Sequence, residues 1–463
     1  MKHLKILSLW IAQVLVVLLN LGVQLFLARL FTQEDVGTYY AIIALLNITA
    51  TIGQFGLSKY LLIIFSKYKN ISEDSKSNIV ILFIIFNLIG ILTYFLISYQ
   101  FFKDNIVFAL FLAPLFFSNN LIGIYTTMIQ VNSKYITISV LRVVVPFSKV
   151  IAILVSGLIF QSDIIVLGTV ISIISLVFSI YLILEINNSI NFFLDNKIIP
   201  SNDSKILENK KQLLIVLLPY ALLNLTYMIY TQGNTFILGL LDNKVSVALF
   251  ANAYMILNSI YIFPTIIYQK VLAHKLLAYI YRPDGKNIKE IIRQMQLTMI
   301  SLSLILLIIL YFLADYIIIT LFGKEYTDAI LLFKILLIGV PYRLISISLG
   351  TIMSSDFFVR KRVKIEITVT LLNIILNYFL IQYIGIMGVV ITVIITEFLL
   401  AFLFTLYVKR YFNIKLLRVI ANLTIILSFL YIVFDFNTFS IVIVSIGSAF
   451  LSFYSGKKLL ELM

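Results

Sequence analysis

The chain has 463 residues, 61% of them hydrophobic and 12% charged, with a net charge of +14. Soluble domains average about half apolar and about a quarter charged residues. This composition therefore excludes a soluble protein and implies an all-α integral membrane protein. Having no cysteine excludes disulfides and thiol nucleophiles, and the two histidines, His3 and His274, are too far apart to read as a metal site.

Apolar runs of the roughly 20 residues that cross a bilayer recur along the chain, and 14 spans are predicted. The first, 6–30, follows MKHLK like a signal peptide, but its apolar run is about twice an ordinary signal core, so it is read as retained. It closes on LARLF, where Arg29 reads either as an ion-pair partner of Glu34 or Asp35 or as a site residue. The second span, 37–65, contains GQFGLSKY, two glycines and Lys59 in an otherwise apolar run. A lysine centred in a span costs about 2.5–3.5 kcal/mol even on a lenient scale. Lys59 lies toward the cytoplasmic end, so it either snorkels to the headgroups or faces a wet cavity.

The third and fourth spans, 79–100 and 106–130, carry no charge. The fifth, 136–160, holds Arg142 and Lys149, two helical turns apart on one face, with Pro146 between them. Lys149 lies about 20 Å into its span at 1.5 Å per residue, too deep to reach either surface. Its face reads as functional or as one half of a structural pair with an acidic neighbour. The sixth span is 164–186, and the polar link 187–211 follows.

The seventh and eighth spans are 212–240 and 245–269, the latter leading into Lys270 of PTIIYQKV, and the ninth is 296–320. The tenth, 328–353, carries Lys334 near its outer end, where it is expected to snorkel, and Arg343 at mid-depth beside Pro341. The eleventh and twelfth are 365–382 and 385–408, and the twelfth holds the one deep carboxylate, Glu397. Glu397 is expected either to neutralise Arg343 or another cation or to bind a coupling ion. Spans 416–434 and 438–455 complete the set.

Lysine and arginine gather at the N-terminus, in the even-numbered links and at the C-terminus; the odd links hold only Lys103, Lys244 and Lys324. Basic links stay in the cytoplasm, so both termini are expected there, and topology rather than nucleic-acid binding accounts for the charge. An offset of 211 residues sets 22–47 over 233–258 without a gap, pairing Gly22 with Gly233, Leu30 with Leu241 and Asn47 with Asn258. Continued, it places Lys59 on Lys270. An even number of spans lies between the matched segments, so the halves are parallel repeats. The expected architecture is two six-helix lobes, 1–190 and 212–410, around a central cavity. The segment 191–211 links the lobes, and two further helices occupy 411–463. Cations dominate the interior, which suits an anion such as a phosphate or pyrophosphate.

No HExxH, GxSxG, GxxxxGK[ST] or dinucleotide fingerprint occurs, so no enzyme activity and no cofactor are expected. A glycosyltransferase or polymerase would need a larger outward loop than these short links provide. A multidrug exporter of organic cations would need acidic cavity residues, and only Glu397 fits.

Four segments in order carry a family resemblance: LARLFTQEDVGTYYAI (27–42), GQFGLSKY (53–60), LFGKEYTDAILLFKIL (321–336) and LNIILNYFLIQYIGIMGVVITVIITE (372–397). The chain resembles the polysaccharide flippases (Wzx-like) of the superfamily that also contains multidrug exporters and the lipid II flippase. It departs in having Lys59 where arginine is commoner and Val389-Val390 in place of a small pair. The resemblance implies a bacterial inner-membrane protein that moves polyprenyl-pyrophosphate-linked oligosaccharide outward by alternating access, for O-antigen or capsule assembly. Sodium ions, protons or the membrane potential would drive it, with polymerase or assembly proteins as partners. Substrate contacts are expected from Lys59, Arg142, Lys149, Lys270, Arg343 and Arg29. The extra first-span arginines expected of a lipid II flippase are absent.

Overall fold

A computed structural model describes residues 2–67, 73–131, 134–192, 209–268, 276, 288–355 and 358–412. Among them there is no strand, and 12 helical segments are long and apolar enough to cross a membrane. They match the first 12 predicted spans in order; spans 416–434 and 438–455 lie outside the described residues. The protein is a multi-pass membrane protein. Helices are the expected answer, because hydrocarbon offers a backbone no hydrogen-bond partner but itself.

The described helices are α1 (Lys2–Leu30), α2 (Gln33–Gln54), α3 (Leu57–Lys67), α4 (Glu73–Phe101), α5 (Ile106–Val131), α6 (Tyr135–Ile159) and α7 (Ile164–Phe192). They continue with α8 (Lys210–Leu241), α9 (Lys244–Ile266), α10 (Ile288–Phe322), α11 (Asp328–Leu336), α12 (Val340–Ile352), α13 (Val359–Ile384) and α14 (Ile386–Phe412). Polar turns cap them. Thr32 Oγ1 accepts from the Asp35 backbone N–H at 3.2 Å, and Asn209 Oδ1 accepts from the Lys211 N–H at 3.0 Å. α13 and α14 meet at Gly385, whose φ of 57° lies in the left-handed region.

Two predicted spans are not single helices. The expected 37–65 is α2 and α3, separated at Phe55–Gly56, and the expected 328–353 is α11 and α12, joined by a 3-10 turn over Leu337–Gly339. The internal repeat recurs in the helix boundaries. α1 and α8 end at Leu30 and Leu241, and α2 and α9 begin at Gln33 and Lys244, both 211 residues apart. Beyond the second pair the offset lengthens to 221. α4 and α10 end at Phe101 and Phe322, and each is followed by a 3-10 turn, Lys103–Asn105 and Lys324–Tyr326. The extra ten residues therefore fall between the start of α9 and the end of α10, and six of them lengthen α10, which has 35 residues against 29 in α4.

The chain forms two compact units, 1–248 and 249–463. In the first, α5 runs along α7, α1 along α6, and α2 between α4 and α8. α2 is the enclosed element, with 83% of its span buried against 33% for α4. The outward side chains of α4, such as Leu92 and Leu96, are exposed apolar groups of the kind lipid tails cover. In the second unit α13 packs along α14, and α12 packs against α10 and α14.

Candidate functional site

The break inside GQFGLSKY is built by Phe55 and Gly56, with Gly53 packed closely just before it. Phe55 and Gly56 both take left-handed φ, 40° and 73°, which ends α2 and lets α3 start in a new direction. A Cβ on Gly56 would stand 2.7 Å from the Ala221 nitrogen of α8, and one on Gly53 would stand 2.5 Å from Asn120 Nδ2. The polar groups around the break are met by buried side chains. Asn87 Nδ2 donates to the Gly53 carbonyl at 3.1 Å, Asn120 Nδ2 donates to Asn87 Oδ1 at 2.7 Å, and Thr127 Oγ1 donates to the Ser58 carbonyl at 3.2 Å.

Lys59 follows on the first turn of α3, on its exposed side, while Leu57, Tyr60 and Leu61 pack into a core with Leu213 and Leu217 of α8. Its charge thus adds to the positive end of that helix's dipole, which suits an anion. Lys59 was expected within a continuous helix, and the correction follows from the left-handed pair at Phe55–Gly56. The matched Lys270 lies outside the described residues.

On α6, Arg142 and Lys149 share a side as their spacing requires, but their surroundings differ. Arg142 is exposed, whereas Lys149 is recessed among α5, α6 and α7. Its side chain lines a cavity of about 40 Å³ together with Ser118, Ser148 and Ser175. Among the described residues no carboxylate lies within ion-pair distance of either cation. The acidic neighbour held open by the sequence is not found for this face.

Arg343 is different. It sits in the first turn of α12, and its Nη1 is 3.4 Å from Glu397 Oε1 on α14, with the side chains 15% and 3% exposed. The Arg343 Cζ also lies 5.8 Å from the centroid of the Tyr261 ring. The deep carboxylate is therefore a charge partner of Arg343. Lys334, expected to snorkel, bonds Asp315 Oδ2 at 2.7 Å and lies over Tyr311. Arg29 is exposed on the last turn of α1, where a cation complements the helix dipole.

Sequence reasoning missed the buried polar side chains between helices. Ser118 and Ser175 beside Lys149 are of this kind, as are Asn87 and Asn120 at the break. In the second unit Asn377 Nδ2 donates to Asn373 Oδ1 at 3.1 Å, and Asn373 Nδ2 donates to Thr396 Oγ1 at 3.4 Å. Their only signal was polarity inside apolar runs.

Solved structures share the architecture. The inward closed lipid II flippase MurJ covers 99% of this chain and 99% of its own, at 18% identity and a TM-score of 0.65. An inward-facing multidrug resistance MATE transporter of the MOP superfamily covers 88% of this chain and 98% of its own, at 16% identity and a TM-score of 0.62. A MOP superfamily transporter from Pyrococcus furiosus covers 88% and 95%, at 15% identity and a TM-score of 0.51, and is described by the reverse polarity of its binding pocket. At these identities the likeness concerns the fold. No curated protein matches the chain. A family model described as polysaccharide biosynthesis protein matches residues 4–273, more than half of the sequence. The chain belongs to this polysaccharide biosynthesis protein family.

Proposed function

We propose that the protein is a flippase that carries polyprenyl-pyrophosphate-linked oligosaccharide from the cytoplasmic to the outer leaflet of a bacterial inner membrane, with both termini in the cytoplasm. Membership of a polysaccharide biosynthesis family on a transporter fold carries this reading. Lys59, on the positive end of α3, receives the pyrophosphate at the cytoplasmic end. A second contact falls to Arg142. Arg343 is largely neutralised by Glu397, and Lys149 is set back in its own cavity, so neither leads the mid-depth contact expected from its position. Arg29, at the opposite end of α1, meets the headgroup at release. An inward-negative membrane potential assists outward movement of an anion.

A lipid II substrate is the second reading, favoured by the 99% coverage of both chains with MurJ. Export of organic cations is disfavoured, because the carboxylate it needs, Glu397, is occupied by Arg343. The test is depletion of the protein in its native host followed by mass spectrometry of polyprenyl-linked glycans. Accumulation of a complete repeat unit supports the flippase, accumulation of a lipid-linked peptidoglycan precursor supports the second reading, and neither would refute both.

A further inference from the structure

The cavity beside Lys149 lies wholly within the first unit, walled by the middle turns of α5, α6 and α7. Four polar residues line it: Ser118 of α5, Ser148 and Lys149 of α6, and Ser175 of α7, the Ser148 hydroxyl being spent on the Val145 carbonyl at 2.8 Å. Ser118 and Ser175 are 3% and 5% exposed. Neither hydroxyl has a hydrogen-bond partner among the described residues, and Lys149 has neither a hydrogen bond nor a carboxylate there. Serines within helices ordinarily bond the carbonyl one turn back, as Ser148, Ser156 and Ser179 do here. Ser118 and Ser175 do not, and stay available to the cavity.

A lysine offers only donors, and a hydroxyl unpaired to the backbone offers one more each. Three donors lining one cavity call for an acceptor, and a cation at the middle of a span calls for negative charge beside it. At about 40 Å³ the space exceeds the roughly 10–15 Å³ a single water needs, but it is narrow, lined otherwise by aliphatic and aromatic groups including Leu115 and Phe178. We propose that Ser118, Lys149 and Ser175 form an intramembrane binding site for one small inorganic anion, chloride being the ion of that size. The anion supplies the counter-charge that no carboxylate provides. It goes beyond the flippase reading and does not rest on it, since the ion binds without any lipid-linked sugar.

The experiment is binding of radioactive chloride to the purified full chain in nanodiscs, in gluconate buffer of constant ionic strength, with thermal melting recorded in parallel. Wild type should bind saturably, near one ion per chain, and gain thermal stability with chloride. Lys149→Met should abolish both effects. The Ser118→Ala/Ser175→Ala variant, which keeps the lysine and removes two donors, should weaken binding about tenfold or more. Lys334→Gln, outside the cavity, should bind as wild type. If Lys149→Met fails to fold, the serine variant decides. No saturable chloride binding in wild type would overturn the site, as would binding unchanged in the serine variant. Displacement of chloride by lower concentrations of inorganic phosphate would overturn the assignment to a small monatomic ion.

Discussion

Arg343 on α12 and Glu397 on α14 are joined 3.4 Å apart from Nη1 to Oε1, both largely out of contact with solvent. A buried pair of this kind costs much to form and more to break, since removing one partner strands the other charge. Glu397→Gln or Arg343→Met should each lower stability by about 3–5 kcal/mol. Arg343→Met combined with Glu397→Leu should recover most of that loss. Melting of the purified variants checks this; a double variant as unstable as the worse single would show that the two side chains do not act as a pair.

Gly56 ends α2 with φ 73° against the backbone of α8, where a Cβ would come within 2.7 Å of a nitrogen. Gly56→Ala should therefore cut folded yield and melting temperature, through both left-handed strain and a backbone clash. Gly22 is the control, because its Cβ would meet only side-chain atoms at 3.8 Å or more. Gly22→Ala should leave the melting temperature near wild type or raise it, since alanine favours the helix by up to about 1 kcal/mol.

Asn87 holds both the Gly53 carbonyl and Asn120. Asn87→Leu leaves two buried polar groups unmet, at about 1–3 kcal/mol each. The expected result is a loss of stability larger than that of Lys334→Gln, which breaks an ion pair with a half-exposed aspartate worth about 0–1 kcal/mol. Guanidinium or thermal unfolding of the two variants side by side settles the order.

Lys59 and Arg142 are both exposed on their helices in one unit. Lys59→Ala and Arg142→Ala should each reduce export of lipid-linked glycan by at least tenfold at unchanged membrane abundance, while Lys334→Ala should not. Pulse labelling of the surface polysaccharide in complemented cells measures the difference.

Most of the fold was legible because hydrocarbon imposes a length on every span. The register of the repeat was legible from a few matched glycines, leucines and asparagines, and it returns in the helix ends at Leu30 and Leu241. The break at Phe55–Gly56 was not, because a pair of glycines in an apolar run reads the same whether it serves close packing or a left-handed turn. The partner of Arg343 could be guessed, since Glu397 was the only deep carboxylate. The serines around Lys149 could not, because serine is unremarkable inside membrane helices and only three-dimensional packing brings Ser118 and Ser175 to one cavity.

The central claim is movement of a pyrophosphate-linked oligosaccharide, and the most direct measurement is the pool of such lipids in depleted cells rescued by wild type or by Arg142→Ala. The account predicts that a complete polyprenyl-pyrophosphate repeat unit accumulates on depletion, clears with wild type, and persists with Arg142→Ala present at normal abundance. Depletion that leaves every polyprenyl-linked intermediate at its wild-type level would contradict it.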